Sequence, residues 1–127
     1  IQRRFDATMI YSTQRSRVVD YLGNKQHLAV DLRIAAGTNG GIRIQSGEQR
    51  FYEGFLQFRF PRWFTGTADV NEWYDDGKQQ YRISVEVGNP ILGPVFRYKG
   101  SFQARTIAVA DGAVPLHVKP LRVEARE

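Results

Sequence analysis

The sequence predicts an all-β protein, an antiparallel up-and-down meander of about eight strands forming a strongly curved sheet or partial barrel. Three observations predict it. Apolar and polar side chains alternate with a period of two along almost the whole chain. Clusters of Gly, Asn, Asp and Pro interrupt that alternation at short intervals, as the reversals of a meander require. No segment carries a sustained helical period with caps. A sheet with one apolar face must then curl, close or pack on something to cover it.

The elements follow in order. Phe5, Ala7, Met9 and Tyr11 alternate with Arg4, Asp6 and Thr8, the pattern of a half-buried strand. Residues 13–16 form a polar turn, 17–22 a second strand and 23–25 the next turn. Leu28, Val30, Leu32 and Ile34 alternate with Ala29, Asp31 and Arg33, the clearest amphipathic strand in the chain. Asn39-Gly40 tolerates the positive backbone angles of a tight reversal, so Ile42 and Ile44 open the return strand. Residues 49–60 read as one long aromatic strand, with Leu56, Phe58 and Phe60 on one side, Phe55, Gln57 and Arg59 on the other, and a bulge or bend at Gly54. Pro61 stops pairing, and Arg62-Trp63-Phe64 makes a turn. Strands at 67–74 and 80–87 are joined across Asp75-Asp76-Gly77-Lys78. Asn89-Pro90-Ile91-Leu92-Gly93-Pro94 is a connection with an apolar tip. Residues 95–107 read as the last long strand, kinked or bulged at Gly100. Residues 108–127, with Pro115 and Pro120, read as an extended tail.

The 127 residues suffice for one β domain with its own core. The formal charge of +5 comes from 18 Lys+Arg against 13 Asp+Glu, dispersed along the chain with no run longer than Arg3-Arg4. That is the pattern of solvated strand faces rather than a phosphate-binding patch. Basic and aromatic residues interleave in Phe58-Arg59-Phe60-Pro61-Arg62-Trp63 and in Phe96-Arg97-Tyr98-Lys99. Alternation nevertheless puts Phe96 and Tyr98 on the face opposite Arg97 and Lys99, so no stacking platform for nucleic acid is expected. No apolar stretch reaches the length of a membrane-spanning helix. With no cysteine in the chain, thiol chemistry is excluded, and a cytoplasmic location is the expectation.

Catalytic and metal constellations are not found. His27 and His117 are the only histidines and neither has a ligand-spaced partner. Asp69 and Glu72 fall on opposite faces of a regular strand, which disfavours an acid–base pair. Asp75-Asp76-Gly77 reads as turn chemistry. There is no nucleophile elbow and no phosphate-binding loop before a helix. The expectation is a protein that is not an enzyme, with no metal and no cofactor; a catalytic reading would need Glu72, Glu86 or His27 to converge in one void.

Arg4-Phe5-Asp6-Ala7-Thr8-Met9, Val19-Asp20-Tyr21-Leu22-Gly23, Phe60-Pro61-Arg62-Trp63 and the run from Asn89-Pro90-Ile91-Leu92-Gly93-Pro94 through Val95-Phe96-Arg97-Tyr98-Lys99-Gly100 resemble the bacterial domain of unknown function 4166 family. The resemblance covers 4–102 and its last motif is the most specific. It assigns no catalytic residue. It implies a chain that is the C-terminal part of a larger domain, in a family often joined to saccharopine-dehydrogenase-like or epimerase-like NAD(P)-binding domains. The chain begins at Ile1 and enters its first alternating segment within a few residues, in keeping with that expectation. No Gly-x-Gly-x-x-Gly is present, so a dinucleotide would belong to a neighbour in cis.

The function expected is non-catalytic binding of an apolar or amphipathic small molecule. Phe58, Phe60, Phe96, Tyr98 and Phe102 would line a concave face, with Trp63 and Leu92 at its entrance. The alternative is an accessory domain that docks on an NAD(P)-dependent oxidoreductase through the same apolar loops. A void on the order of several hundred Å3 speaks for the ligand, and exposed Ile91, Leu92 and Trp63 over a filled core speak for docking.

Overall fold

The computed structural model describes residues 6–38, 40–53, 56–59, 66–110, 113, 115 and 116, with backbone only at 53 and 56–58. It is all-β, and no α-helix occurs among the described residues. The strands are β1 (Ala7–Ser12), β2 (Arg17–Leu22), β3 (Leu28–Ala36), β4 (Ile42–Glu53), β5 (Leu56–Arg59), β6 (Thr67–Asp75), β7 (Gln80–Asn89) and β8 (Gly93–Phe102). They pair in the order β1-β2-β3-β4-β6-β7-β8, with β5 also on β4. Among the described residues the hydrogen-bonded path has β1 and β8 at its ends. The chain forms two compact units, one of residues 1–32, 48–60 and 107–127, the other of 33–47 and 61–106.

In the first unit β1 pairs with β2 from Ala7↔Leu22 to Ser12↔Arg17, and β2 with β3 from Val18↔Leu32 to Leu22↔Leu28. That register puts Ile10, Val19, Tyr21 and Ala29 on one face, where they form a core with Tyr52 of β4. Val19, Tyr21 and Ala29 are fully buried. The core ends in charge. The buried Arg50 donates from Nη1 to Asp31 Oδ1 at 2.6 Å and to Glu48 Oε1 at 3.1 Å, and from Nε to Tyr52 Oη at 3.2 Å. Arg15 bridges Asp31 at 3.1 Å and Glu48 at 2.8 Å, Arg17 reaches Asp31 at 3.4 Å, and Arg59 reaches Glu48 at 3.4 Å. Burial opposes the charge on Glu48, but the bond from Arg50 and the charges of Arg59 and Arg15 hold its carboxyl below the ordinary range. Burial likewise opposes the charge on Arg50, but its bond to Asp31, the Asp31 charge and its bonds to Tyr52 and Glu48 together outweigh that, so it stays protonated. Within the Arg50 guanidinium only Nη2 lacks a partner among the described residues, and losing another member of the network strands the remaining charges in a dry site.

Asp20 lies on the opposite face of β2, between Met9 and Val30. It is buried, its Oδ1 has no hydrogen-bond partner among the described residues, and burial pushes its carboxyl up to about 6.

One correction concerns the middle of the chain. The stretch read as one strand over 49–60 is the end of β4 followed by β5, a hairpin with Glu53 opposite Leu56. Gly54, where a bulge or bend is expected, lies outside the described residues. Both arms are aromatic and alternate, so hydropathy alone cannot tell one long strand from two paired short ones. Besides β3, the 12-residue β4 pairs with β6 along Ile42–Gln45 and with β5 along Arg50–Glu53.

In the second unit β6 pairs with β7 from Thr67↔Gly88 to Asp75↔Gln80, and β7 with β8 from Tyr81↔Phe102 to Asn89↔Gly93. At the β6–β7 reversal Asp75 Oδ1 accepts from Lys78 N at 3.1 Å, and Gln79 takes φ 51°, a left-handed closure of the loop. At the β7–β8 reversal Asn89 Oδ1 accepts from Ile91 N at 2.8 Å and Leu92 N at 3.0 Å, and Gly93 takes φ 74°. The bulge expected at Gly100 lies instead between Val87 and Gly88, and Gly100 pairs regularly with Ile83. The last strand stops at Phe102 rather than near 107, and 103–110 carry no regular structure. Its apolar alternation fades beyond Phe102, and no further register pair holds the chain in the sheet.

Candidate functional site

The candidate site is one face of the second unit's strands. Register builds it row by row. Tyr74, Tyr81 and Phe102 form the first row across β6, β7 and β8. Glu72, Ile83 and Gly100 form the second, with Ile42 of β4 on the other side of Glu72. Val70, Val85 and Tyr98 form the third, flanked by Ile44. Ala68, Val87 and Phe96 form the fourth. Alternation thus gathers every aromatic ring of these rows on one side of the sheet.

The rings are ordered against one another. Tyr74 meets Tyr81 edge to face at 5.1 Å, and Tyr81 stacks on Phe102 at 5.2 Å with planes 15° apart. Phe96 and Tyr98 lie parallel at 6.4 Å. Val85 and Ile44 are buried, whereas Phe96 is 54% and Tyr98 50% exposed. Tyr74, Tyr81 and Ile42 are exposed as well. Rings of this size normally supply the largest share of buried apolar area in a core, so a row of half-exposed ones is a surface with unspent hydrophobic contact. At the tip of the β7–β8 turn Ile91 and Leu92 stand 68% and 78% exposed. A shallow recess of about 210 Å3 opens beside Phe96, where the register shift at Val87/Gly88 and Pro94 leave the rows incomplete.

Glu72 is the one charged side chain in these rows. It is half-buried between Ile42 and Ile83, and it has no hydrogen bond or ion pair among the described residues. Burial pushes its carboxyl up from the ordinary glutamate value.

The opposite face is polar and internally paired. Arg43 clamps Asp69 from Nε, at 3.0 and 3.1 Å, and from Nη2, while Gln45 donates to the same carboxylate at 3.1 Å. The bond from Arg43 holds the Asp69 carboxyl below its ordinary range. An open depression of about 600 Å3 lies there, lined by Trp73, Asn71, Ser84 and Glu86 beside the Arg43–Asp69 pair. Asp69 and Glu72 therefore do fall on opposite faces, and Glu86 does share a face with Ser84 and Arg82. Among the described residues no group of three His, Asp or Glu side chains could hold a metal ion, and no helix is long and apolar enough to cross a membrane.

Of the residues expected to form the site, Phe96, Tyr98 and Phe102 share this face, and Leu92 stands at the turn tip. Phe58 belongs to β5 in the first unit, opposite Phe51. The Phe58 side chain, Phe60 and Trp63 lie outside the described residues, as does His117. His27 belongs to the first unit, edge to face with Phe51 at 5.9 Å. The sequence reading left out Tyr74 and Tyr81. The signal was present, because residues flanking the Asp75–Gln80 reversal must oppose each other, but it emerges only once the loop closure is known.

Comparison with known proteins places the chain in a family. Residues 1–102 match the family described as domain of unknown function (DUF4166). Over 102 residues the chain is 39% identical to the uncharacterized protein YndH of Bacillus subtilis (strain 168), covering 80% of this chain and 50% of that protein. The chain thus spans about half the length of the curated relative it matches. No solved structure matches. The protein belongs to the DUF4166 family.

Proposed function

We infer that the aromatic face of β6, β7 and β8 binds an apolar or amphipathic small molecule without catalysing a reaction on it. The observation that carries this reading is the half-exposure of Phe96 and Tyr98 in a face whose neighbours Val85 and Ile44 are buried. The groups that acid–base chemistry would need are dispersed: Glu72 stands on this face, Glu86 on the other, and His27 belongs to the first unit. Affinity should be weak. A buried CH2 is worth about 0.8 kcal/mol. An eight-carbon chain would therefore gain about 6 kcal/mol if fully covered, and about half of that on an open face. Before any cost of association, that half corresponds to a dissociation constant of about 6 mM, so binding is no tighter than the millimolar range.

Amide chemical shifts suit that range. Octyl glucoside titrated below its micellar concentration into the 15N-labelled chain should move amides of β7 and β8 saturably. The variant Phe96→Ala/Tyr98→Ala should lose those shifts and keep its spectrum elsewhere. Absent or unsaturable shifts, or an unchanged response in the variant, would count against the reading.

The exposed tip at Ile91 and Leu92 favours a second reading, an accessory domain that docks on an oxidoreductase domain. Ile91→Ser/Leu92→Ser separates the two. It leaves octyl glucoside binding intact if the face takes a small molecule and the tip serves only contact with protein.

A further inference from the structure

We propose that the ligand of this face is a cation: an organic ammonium group on an apolar body, with the ammonium held at Glu72 and the body laid over the tyrosines and phenylalanines. This inference rests on the small-molecule reading above and adds the sign of the ligand's charge.

The argument starts from an electrostatic inconsistency. A carboxylate half-removed from water is normally paired, because desolvation of an ion costs more than most contacts return. The buried Asp31 and the half-buried Glu48 are covered by arginines, and Asp69 by Arg43 and Gln45, whereas Asp20 in the first unit keeps an Oδ1 unsatisfied among the described residues but is buried beyond the reach of a ligand. Glu72 has no such cover among the described residues. Its row neighbours are Ile42, Ile83 and Gly100, and its neighbours along β6 are Val70 and Tyr74. The titratable groups that share its face among the described residues are the phenols Tyr74, Tyr81 and Tyr98, none of which supplies positive charge near neutral pH.

The surroundings suit one kind of partner. Tyr74 follows Glu72 two residues along β6 and Tyr81 stands diagonally across on the adjacent β7, both within reach of the carboxylate. Aromatic faces attract cations through their ring quadrupole, and most strongly cations that shed water easily, such as alkylated ammonium groups. Beyond Ile83, Gly100 presents no side chain in the same row. An alkyl chain could then run toward Phe96. A carboxylate or sulfate head would meet an unpaired negative charge instead.

The chain's overall charge sharpens the inference. At +5, non-specific attraction favours anions, so preference for a cation can arise only from a local site.

Three octyl probes test it in parallel at pH 7.5 and fixed ionic strength, each below its micellar concentration: octyltrimethylammonium, octyl glucoside and octyl sulfate. Amide shifts of β7 and β8 are the readout. The ammonium should bind about tenfold more tightly than the glucoside, a ratio in keeping with one ion pair and one aromatic contact at a partly wet site, and the sulfate should bind most weakly. Glu72→Gln should remove the difference between ammonium and glucoside while leaving glucoside binding in place. Glu86→Gln, on the other face, should leave the difference intact. Should Glu72→Gln fail to fold, the wild-type chain serves at about pH 4, where a carboxyl with a raised proton affinity is neutral; the ammonium preference should vanish there. Equal binding of all three probes, tighter binding of the sulfate, or an ammonium preference that survives Glu72→Gln would overturn the proposal while the small-molecule reading stood. If none of the probes moved β7 and β8, both would fall.

Discussion

Replacing Asp20 by Asn should change how stability responds to pH, by an amount that follows from the structure. Asp20 is buried between Met9 and Val30, with an Oδ1 that nothing among the described residues satisfies. Burial raises its carboxyl from 3.8 to about 6. A tenfold change in proton affinity is worth about 1.4 kcal/mol. The folded state therefore holds this proton more tightly than the unfolded chain by about 3 kcal/mol. The sign follows from proton counting. Below the unfolded value both states are protonated and nothing is lost. As pH rises from about 4 to about 6 the unfolded chain ionises first, so stability falls, and above the folded value the loss is complete. Asn does not ionise. Urea unfolding of both proteins at pH 4, 5, 6 and 7.5 should show the variant gaining on the wild type by about 3 kcal/mol across that span. The net gain at pH 7.5 will be smaller, about 1–2 kcal/mol, because the amide replaces one unsatisfied group by another. Glu48 and Asp69, which are held low, and Glu72, which is held high, titrate alike in both proteins and cancel in the difference. A difference that stays constant across the four pH values would refute the burial argument.

Two further perturbations test the scaffold. Asp31→Ala removes the acceptor of Arg50, Arg15 and Arg17 and should cost about 3–5 kcal/mol in urea unfolding. The pair Asp31→Leu/Arg50→Met should recover most of that loss; a double variant as unstable as the single one would contradict the view that a stranded charge carries the cost. Asn89→Ala deletes the acceptor for Ile91 N and Leu92 N and should lower the unfolding free energy by about 1 kcal/mol, with amide exchange at the β7–β8 turn accelerated. Unchanged exchange there would show that Gly93 alone sets the turn.

Much of the scaffold was legible because β-strands write their faces into every second residue. The turn at 75–80, the apolar-tipped turn at 89–93 and the opposition of Phe96 and Tyr98 to Arg97 and Lys99 follow from that rule and from turn chemistry. The hairpin within 49–60 was not legible, since two adjacent strands of matching alternation look like one. Nor was the bulge, which sits at Val87/Gly88 because the Asn89–Gly93 turn sets its own register, while Gly100 fits an ordinary pairing. For the site, Phe96, Tyr98, Phe102 and Leu92 could be nominated from alternation, and Glu72 could be placed with Val70 and Tyr74. What stands beside Glu72 across the sheet could not.

The amino-acid order by itself determined that this chain is a meander of antiparallel strands, that its aromatic and basic side chains on β8 part company, and that it carries no cysteine and two histidines. Periodicity and composition are local properties, and local properties need no partner to be read. Only the tertiary structure decided which charges are answered. Arg15, Arg17 and Arg59 meet Asp31 or Glu48 across separations of up to 33 residues, while Asp20 and Glu72 are left among apolar neighbours. Pairing depends on register between distant strands, and a carboxylate's energy depends on what register brings within a few ångströms of it.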